Sequence, residues 1–226
     1  MTAAEVKTPP LPPAPSAARW PAPRPARSAA RLVWLHLRSR RAPAAVLALA
    51  VCAAALRAVV HWRLTSGGGL TQQTPMILEG AAAVVIAVTT HGPFGEAERA
   101  TGRWLPCLRL GSALALTGAA IGLLQLGVTG ASLNGGVLVL ARNVVGITGI
   151  GLLASLVTGG LLAWIPQLGY VAFAEYALNE AWRNPWTWPV RPPWDRGAWI
   201  CAALVFAVGL GAFTLRGARS RLADDG

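Results

Sequence analysis

Between Ala42 and Leu215 the chain is a succession of apolar runs separated by short polar or glycine-rich interruptions. About 20 mostly apolar residues carry a helix across the hydrocarbon core of a bilayer, and most of the runs approach that length. They predict six transmembrane helices over about 42–62, 75–90, 104–128, 137–158, 161–178 and 198–215. The second run is somewhat short. The connections differ in kind: residues 63–74 form a Gly/Ser/Thr/Gln turn, residues 129–136 a small chargeless one, and Gly159–Gly160 permit a tight reversal. The expected fold class is an all-α integral membrane protein.

Two segments precede the first run. Residues 1–26 are rich in Pro and Ala and have no apolar periodicity, which predicts a disordered tail. In residues 27–41, Ala30, Val33, Trp34 and Leu37 recur at helical spacing, with Arg27, Arg31, Arg38 and Arg41 on an adjacent face. This is the pattern of an amphipathic interfacial helix, with the arginines on lipid phosphates. A plain basic flank to the first span fits the same residues. Either reading places the amino terminus in the cytoplasm. A short arginine-bearing tail, residues 216–226, ends the sequence.

Composition agrees with a membrane protein: 54% of residues are hydrophobic, 13% are charged and the mean hydropathy is +0.48. The net charge of +11 would suggest nucleic acid in a soluble protein. Here the arginines sit beside the apolar runs, where insertion rules favour them, so no nucleic-acid partner is expected. Their bias puts both termini of a six-span protein in the cytoplasm; the plasma (inner) membrane is the expected location.

No catalytic constellation is visible. The sequence contains no phosphate-binding G-x-x-x-x-G-K-[ST] loop, no G-x-S-x-G and no H-E-x-x-H. Cys52, Cys107 and Cys201 have no metal-ligand or disulfide spacing, and His36, His61 and His91 form no pair. No enzyme, cofactor or metal is expected.

What stands out is charge within the spans, where it is costly. Arg57 and Glu79 lie at one depth in the first two runs, and Arg142 and Glu175 at a matching depth in the fourth and fifth. At 1.5 Å per residue that depth is roughly 7 Å below the outer surface, so two ion pairs are expected if these helices are neighbours. They would be structural clamps or a substrate or ion site. Gly118 and Gly122, and Gly151, Ser155 and Gly159, have the four-residue spacing that allows close helix contacts. Between the fifth and sixth runs, residues 179–197 place Trp182, Trp186, Trp188 and Trp194 among four prolines. Tryptophan favours the membrane interface. A short interfacial or re-entrant element at the outer surface is expected, either a gate or a passive anchor.

The remaining feature is Gly92–Arg109, GPFGEAERATGRWLPCLR, the charged interior segment between the second and third runs. Glu96 and Glu98 come before Arg99 and Arg103, the order that suits a helix dipole. A short docking helix for a soluble partner and a capped membrane turn both fit.

This layout resembles the permease subunit of type 2 ABC exporters. That family has an interfacial helix before the first span, a coupling helix between the second and third, and a re-entrant element between the fifth and sixth. Here these correspond to residues 27–41, 96–103 and 182–194. The resemblance covers about residues 27–215 and rests on layout. It implies a homo- or heterodimer of permeases and a separate ATP-binding subunit docked on residues 92–109 through Glu96, Glu98, Arg99 and Arg103. A non-transporting anchor, assembly or immunity subunit and a secondary transporter are the alternatives.

Overall fold

The structure, a computed structural model, describes residues 42–66, 73–89, 105–130, 136–180 and 184–216. These residues form six α-helices and one 3₁₀ segment, with no strand among them. The helices are α1 (Ala42–Ser66), α2 (Gln73–Thr89), α3 (Leu105–Gly127), α4 (Gly136–Thr158), α5 (Trp164–Asn179) and α6 (Arg196–Arg216). The 3₁₀ segment, Pro185–Val190, lies between α5 and α6. Pro43, Pro75, Pro106 and Pro166 each fall in the first turn of a helix, where the missing N–H leaves no bond unmade.

Within α1, α3, α4 and α6 are stretches of 19–23 residues long and apolar enough to cross a membrane. They mark the chain as a membrane-embedded, all-helical protein. The other two helices are shorter, 17 residues in α2 and 16 in α5. In α5 the shortening has a visible cause. Gly159 takes φ +79°, and the backbone turns through residues 160–163 before the helix begins, three residues later than the apolar run predicts. At the opposite end of α4, Gly130 and Gly136 also take positive φ, ending α3 and starting α4 around the chargeless turn.

Helix α4 is the centre of the bundle. It packs against α2, α3, α5, α6 and the 3₁₀ segment. Along its apolar stretch 61% of residues are buried, against 22–28% for the stretches in α1, α3 and α6. Those three present apolar perimeters, with Leu47, Leu114 and Leu204 among the exposed side chains. The largest core cluster joins Leu49 and Leu56 of α1, Ile86 of α2, Leu124 of α3 and Leu140 and Val144 of α4. A second, of Ala83, Ile147 and Val171, ties α2 and α5 to α4.

Candidate functional site

The four prolines of residues 184–195 explain what surrounds them. Proline has no N–H, so a segment with Pro185, Pro189, Pro192 and Pro193 is short of donors for its own carbonyls: the amides of Thr187, Arg191 and Asp195 reach only those of Asn184, Trp188 and Pro192. Side chains from three helices supply further donors. From α4, Arg142 donates to the carbonyls of Arg191 (2.8 Å) and Pro192 (2.9 Å). From α5, the Tyr170 hydroxyl donates to the Trp186 carbonyl at 2.7 Å. From α6, the Trp199 indole N–H donates to the Pro193 carbonyl at 2.8 Å.

The segment is also packed into the bundle. Thr187, Trp188 and Pro189 are buried. Trp188 lies against the Tyr170 ring, with centroids 4.7 Å apart, and packs on Ala198 and Ala202 of α6. Its indole covers Gly146 so closely that a Cβ there would come within 2.7 Å of the ring. Gly146 is the eleventh residue of α4, so Trp188 descends roughly 15 Å along the helix from its start. Trp186 and Trp194 stay exposed, as interfacial tryptophans would.

At the end of the segment, the Arg191 guanidinium pairs with Asp195. The other Asp195 oxygen accepts the Ala198 amide at 2.8 Å, capping α6. The Ala198 amide, and after it Arg191, hold the Asp195 carboxyl below the usual carboxylate range.

Beside Arg142 lies the second part of the site. Glu79 of α2 is buried, and its carboxylate accepts a 2.7 Å hydrogen bond from the Asn143 amide. Arg142 is completely buried and within electrostatic reach of Glu79, but its terminal nitrogens are committed to the carbonyls of residues 191 and 192. Deeper in the bundle, Gln167 of α5 bridges the carbonyls of Ala83 (3.1 Å) and Ile147 (3.0 Å). Buried polar contacts thus join α2, α4, α5 and the 184–195 segment.

The two ion pairs expected from depth do not form among the described residues. Arg57 is exposed and makes a long 3.5 Å contact to Thr129 Oγ1 instead of meeting Glu79. Leu49, Ala53, Leu56 and Val60 define the inward face of α1, and Arg57 follows Leu56 by one residue, about 100° around the helix. Glu175 is half-buried, and neither carboxyl oxygen has a hydrogen-bond partner among the described residues. Its expected partner Arg142 is held elsewhere. Depth alone placed these charges at one level; rotation turns Arg57 away from Glu79, and Arg142 is engaged by the 184–195 segment.

Residues 27–41, Trp182, and Glu96, Glu98, Arg99 and Arg103 lie outside the described residues. Asn143, Gln167, Tyr170, Asp195 and Trp199 belong to the site although sequence reasoning, following charge, passed over them. A usable signal existed: Asn143 and Gln167 are amide side chains inside predicted spans, where a polar group needs an internal partner. No protein-family model, curated protein or solved structure matches this chain.

Proposed function

We propose that this chain is the membrane-spanning permease subunit of an ABC-type exporter. In this reading all six helices cross the plasma membrane and both termini are cytoplasmic. Residues 27–41 lie in the interface, and two permeases pair around an export path. A separate ATPase docks on residues 92–109 through Glu96, Glu98, Arg99 and Arg103, supplying the hydrolysis for which this sequence has no phosphate-binding loop.

The observation that carries the reading is the inserted 184–195 segment. A surface connection needs no buried tryptophan and no cross-helix donors for its carbonyls. An element that closes a path between α4, α5 and α6 needs both, because non-helical backbone at membrane depth must be satisfied by protein. The test is affinity purification of the tagged chain in mild detergent, with bound ATPase identified by mass spectrometry. The permease reading expects an ATPase that is lost when Glu96 and Arg99 are reversed in charge. A well-folded sample with no ATPase sinks it and leaves a non-transporting anchor.

A second reading has one observation in its favour, the buried Glu79 carboxylate on Asn143. A secondary carrier could use Glu79 for its coupling ion. It predicts transport that needs no ATPase and disappears with Glu79→Gln.

A further inference from the structure

We propose that Arg142 is a two-position latch. It grips the carbonyls of Arg191 and Pro192 while the 184–195 segment is seated, and turns to the Glu79 carboxylate when the segment leaves. The inference requires no ATPase partner and stands apart from the permease reading.

The argument begins with the cost of a buried charge. A fully buried guanidinium is tolerated only while its donors are engaged. With the segment seated, the two terminal nitrogens hold two backbone carbonyls, and Nε has no hydrogen-bond partner among the described residues. Carbonyls supply dipoles, and the countercharge that acts most strongly on Arg142, Asp195, sits at the end of the same segment and leaves with it. The Glu79 carboxyl, also within electrostatic reach, is occupied by a neutral amide, although a guanidinium would be the stronger donor. Arg142 and Asn143 are consecutive on α4, about 100° apart around the axis, and Glu79 is already within electrostatic reach of Arg142.

Unseating the segment removes both carbonyls at once. If Arg142 had no second partner, the open state would contain a stripped buried cation, and the segment would hardly leave. Glu79 provides that partner. It is a carboxylate in a prepared place, held by one hydrogen bond that a guanidinium can displace. In the latch the same charge thus has two arrangements, each with a partner, and Arg142 turns between them. The remaining tethers, Tyr170 to Trp186, Trp199 to Pro193 and the Ala198 amide to Asp195, set how firmly the seated state is held.

This assigns opposite roles to Glu79 and Arg142, and the opposition is testable. Thr187 is buried in the seated segment, so Thr187→Cys reports unseating by its rate of maleimide labelling. The measurement uses the full chain in nanodiscs, with Cys52, Cys107 and Cys201 replaced by alanine. Arg142→Met removes two charge-assisted bonds and should speed labelling by about ten-fold or more. Glu79→Gln removes the open-state partner and should slow labelling below the parent. Were Glu79 merely a structural countercharge, its loss would loosen the site and speed labelling, as the arginine variant does. That result, or an unchanged rate, overturns the latch. Should Arg142→Met not fold, Trp199→Phe loosens the segment without touching either partner. Its faster labelling should fall again on adding Glu79→Gln, and failure to fall also overturns the proposal.

Discussion

Gly118 and Gly122 of α3 stand at the same spacing as Gly151 and Ser155 of α4, yet the two helices use their small residues differently. A Cβ at Gly118 or Gly122 would meet nothing within 4 Å. A Cβ at Gly151 would overlap the Gln167 amide and come within 2.9 Å of Ala87. Two residues earlier, at Gly149, a Cβ would lie 2.6 Å from the Phe206 backbone, where α6 crosses α4. Helix α3 does make one such approach, at Gly127, against the Ala53 carbonyl of α1. Small residues at four-residue spacing show that a close approach is possible. Where it occurs depends on which neighbour the rest of the sequence brings there. On α4, Asn143 bonds to α2, the Ile147 carbonyl accepts from α5, and Arg142 holds the 184–195 segment, so its polar groups fix several neighbours at once.

The comparison can be broken most directly at Gly149. Gly149→Leu drives a side chain into the α6 backbone, which cannot give way as a flexible side chain could. The loss should exceed about 3 kcal/mol, with no monodisperse peak in detergent gel filtration. If the variant elutes like the parent, α4 and α6 are not packed as described.

A smaller effect is expected at Gly146. Alanine there meets the Trp188 ring at 2.7 Å and should cost about 1–3 kcal/mol, read as a lower melting temperature. Smaller still is the effect of acid on the segment's last tether. Asp195 has a folded-state pKa below the ordinary value of 3.8, so its contribution is complete above about pH 5. It is lost as pH falls through the depressed value. Melting temperatures measured from pH 6 to 3 should show this acid limb in the parent, and Asp195→Asn should flatten it. The smallest effect belongs to α3. Gly118→Ala and Gly122→Ala should leave stability unchanged or raise it by up to about 1 kcal/mol through helix propensity. A loss of more than that would mean this face is packed against something.

The helices were legible in the sequence because membrane-spanning length and hydrophobicity depend on composition over a long window, which local detail hardly disturbs. All six lie within a few residues of the apolar runs, and α5 starts late only because Gly159 leads into a slow turn. The site was less legible. Depth follows from counting residues, but pairing depends on how each helix is rotated and which neighbours it has. Arg57 and Glu79 share a level, and rotation turns Arg57 outward. The Trp/Pro-rich connection was recognisable as an unusual element. Its four tryptophans gave no sign that Trp188 would be buried against Gly146 while Trp186 and Trp194 remain outside. That distinction comes from a glycine 42 positions away, in another helix.

The central claim is that residues 184–195 form an inserted part of the bundle, held by side chains of α4, α5 and α6. Hydrogen exchange in nanodiscs, followed by mass spectrometry of peptides covering 186–195, tests it most directly. The amides of Thr187, Arg191 and Asp195 each donate within the segment. If the segment is inserted and tethered, they exchange far more slowly than an open loop, and Arg142→Met accelerates them while α1 is unaffected. Exchange at the rate of an open loop in the parent would contradict the account, because a segment lying on the surface has no need of Arg142.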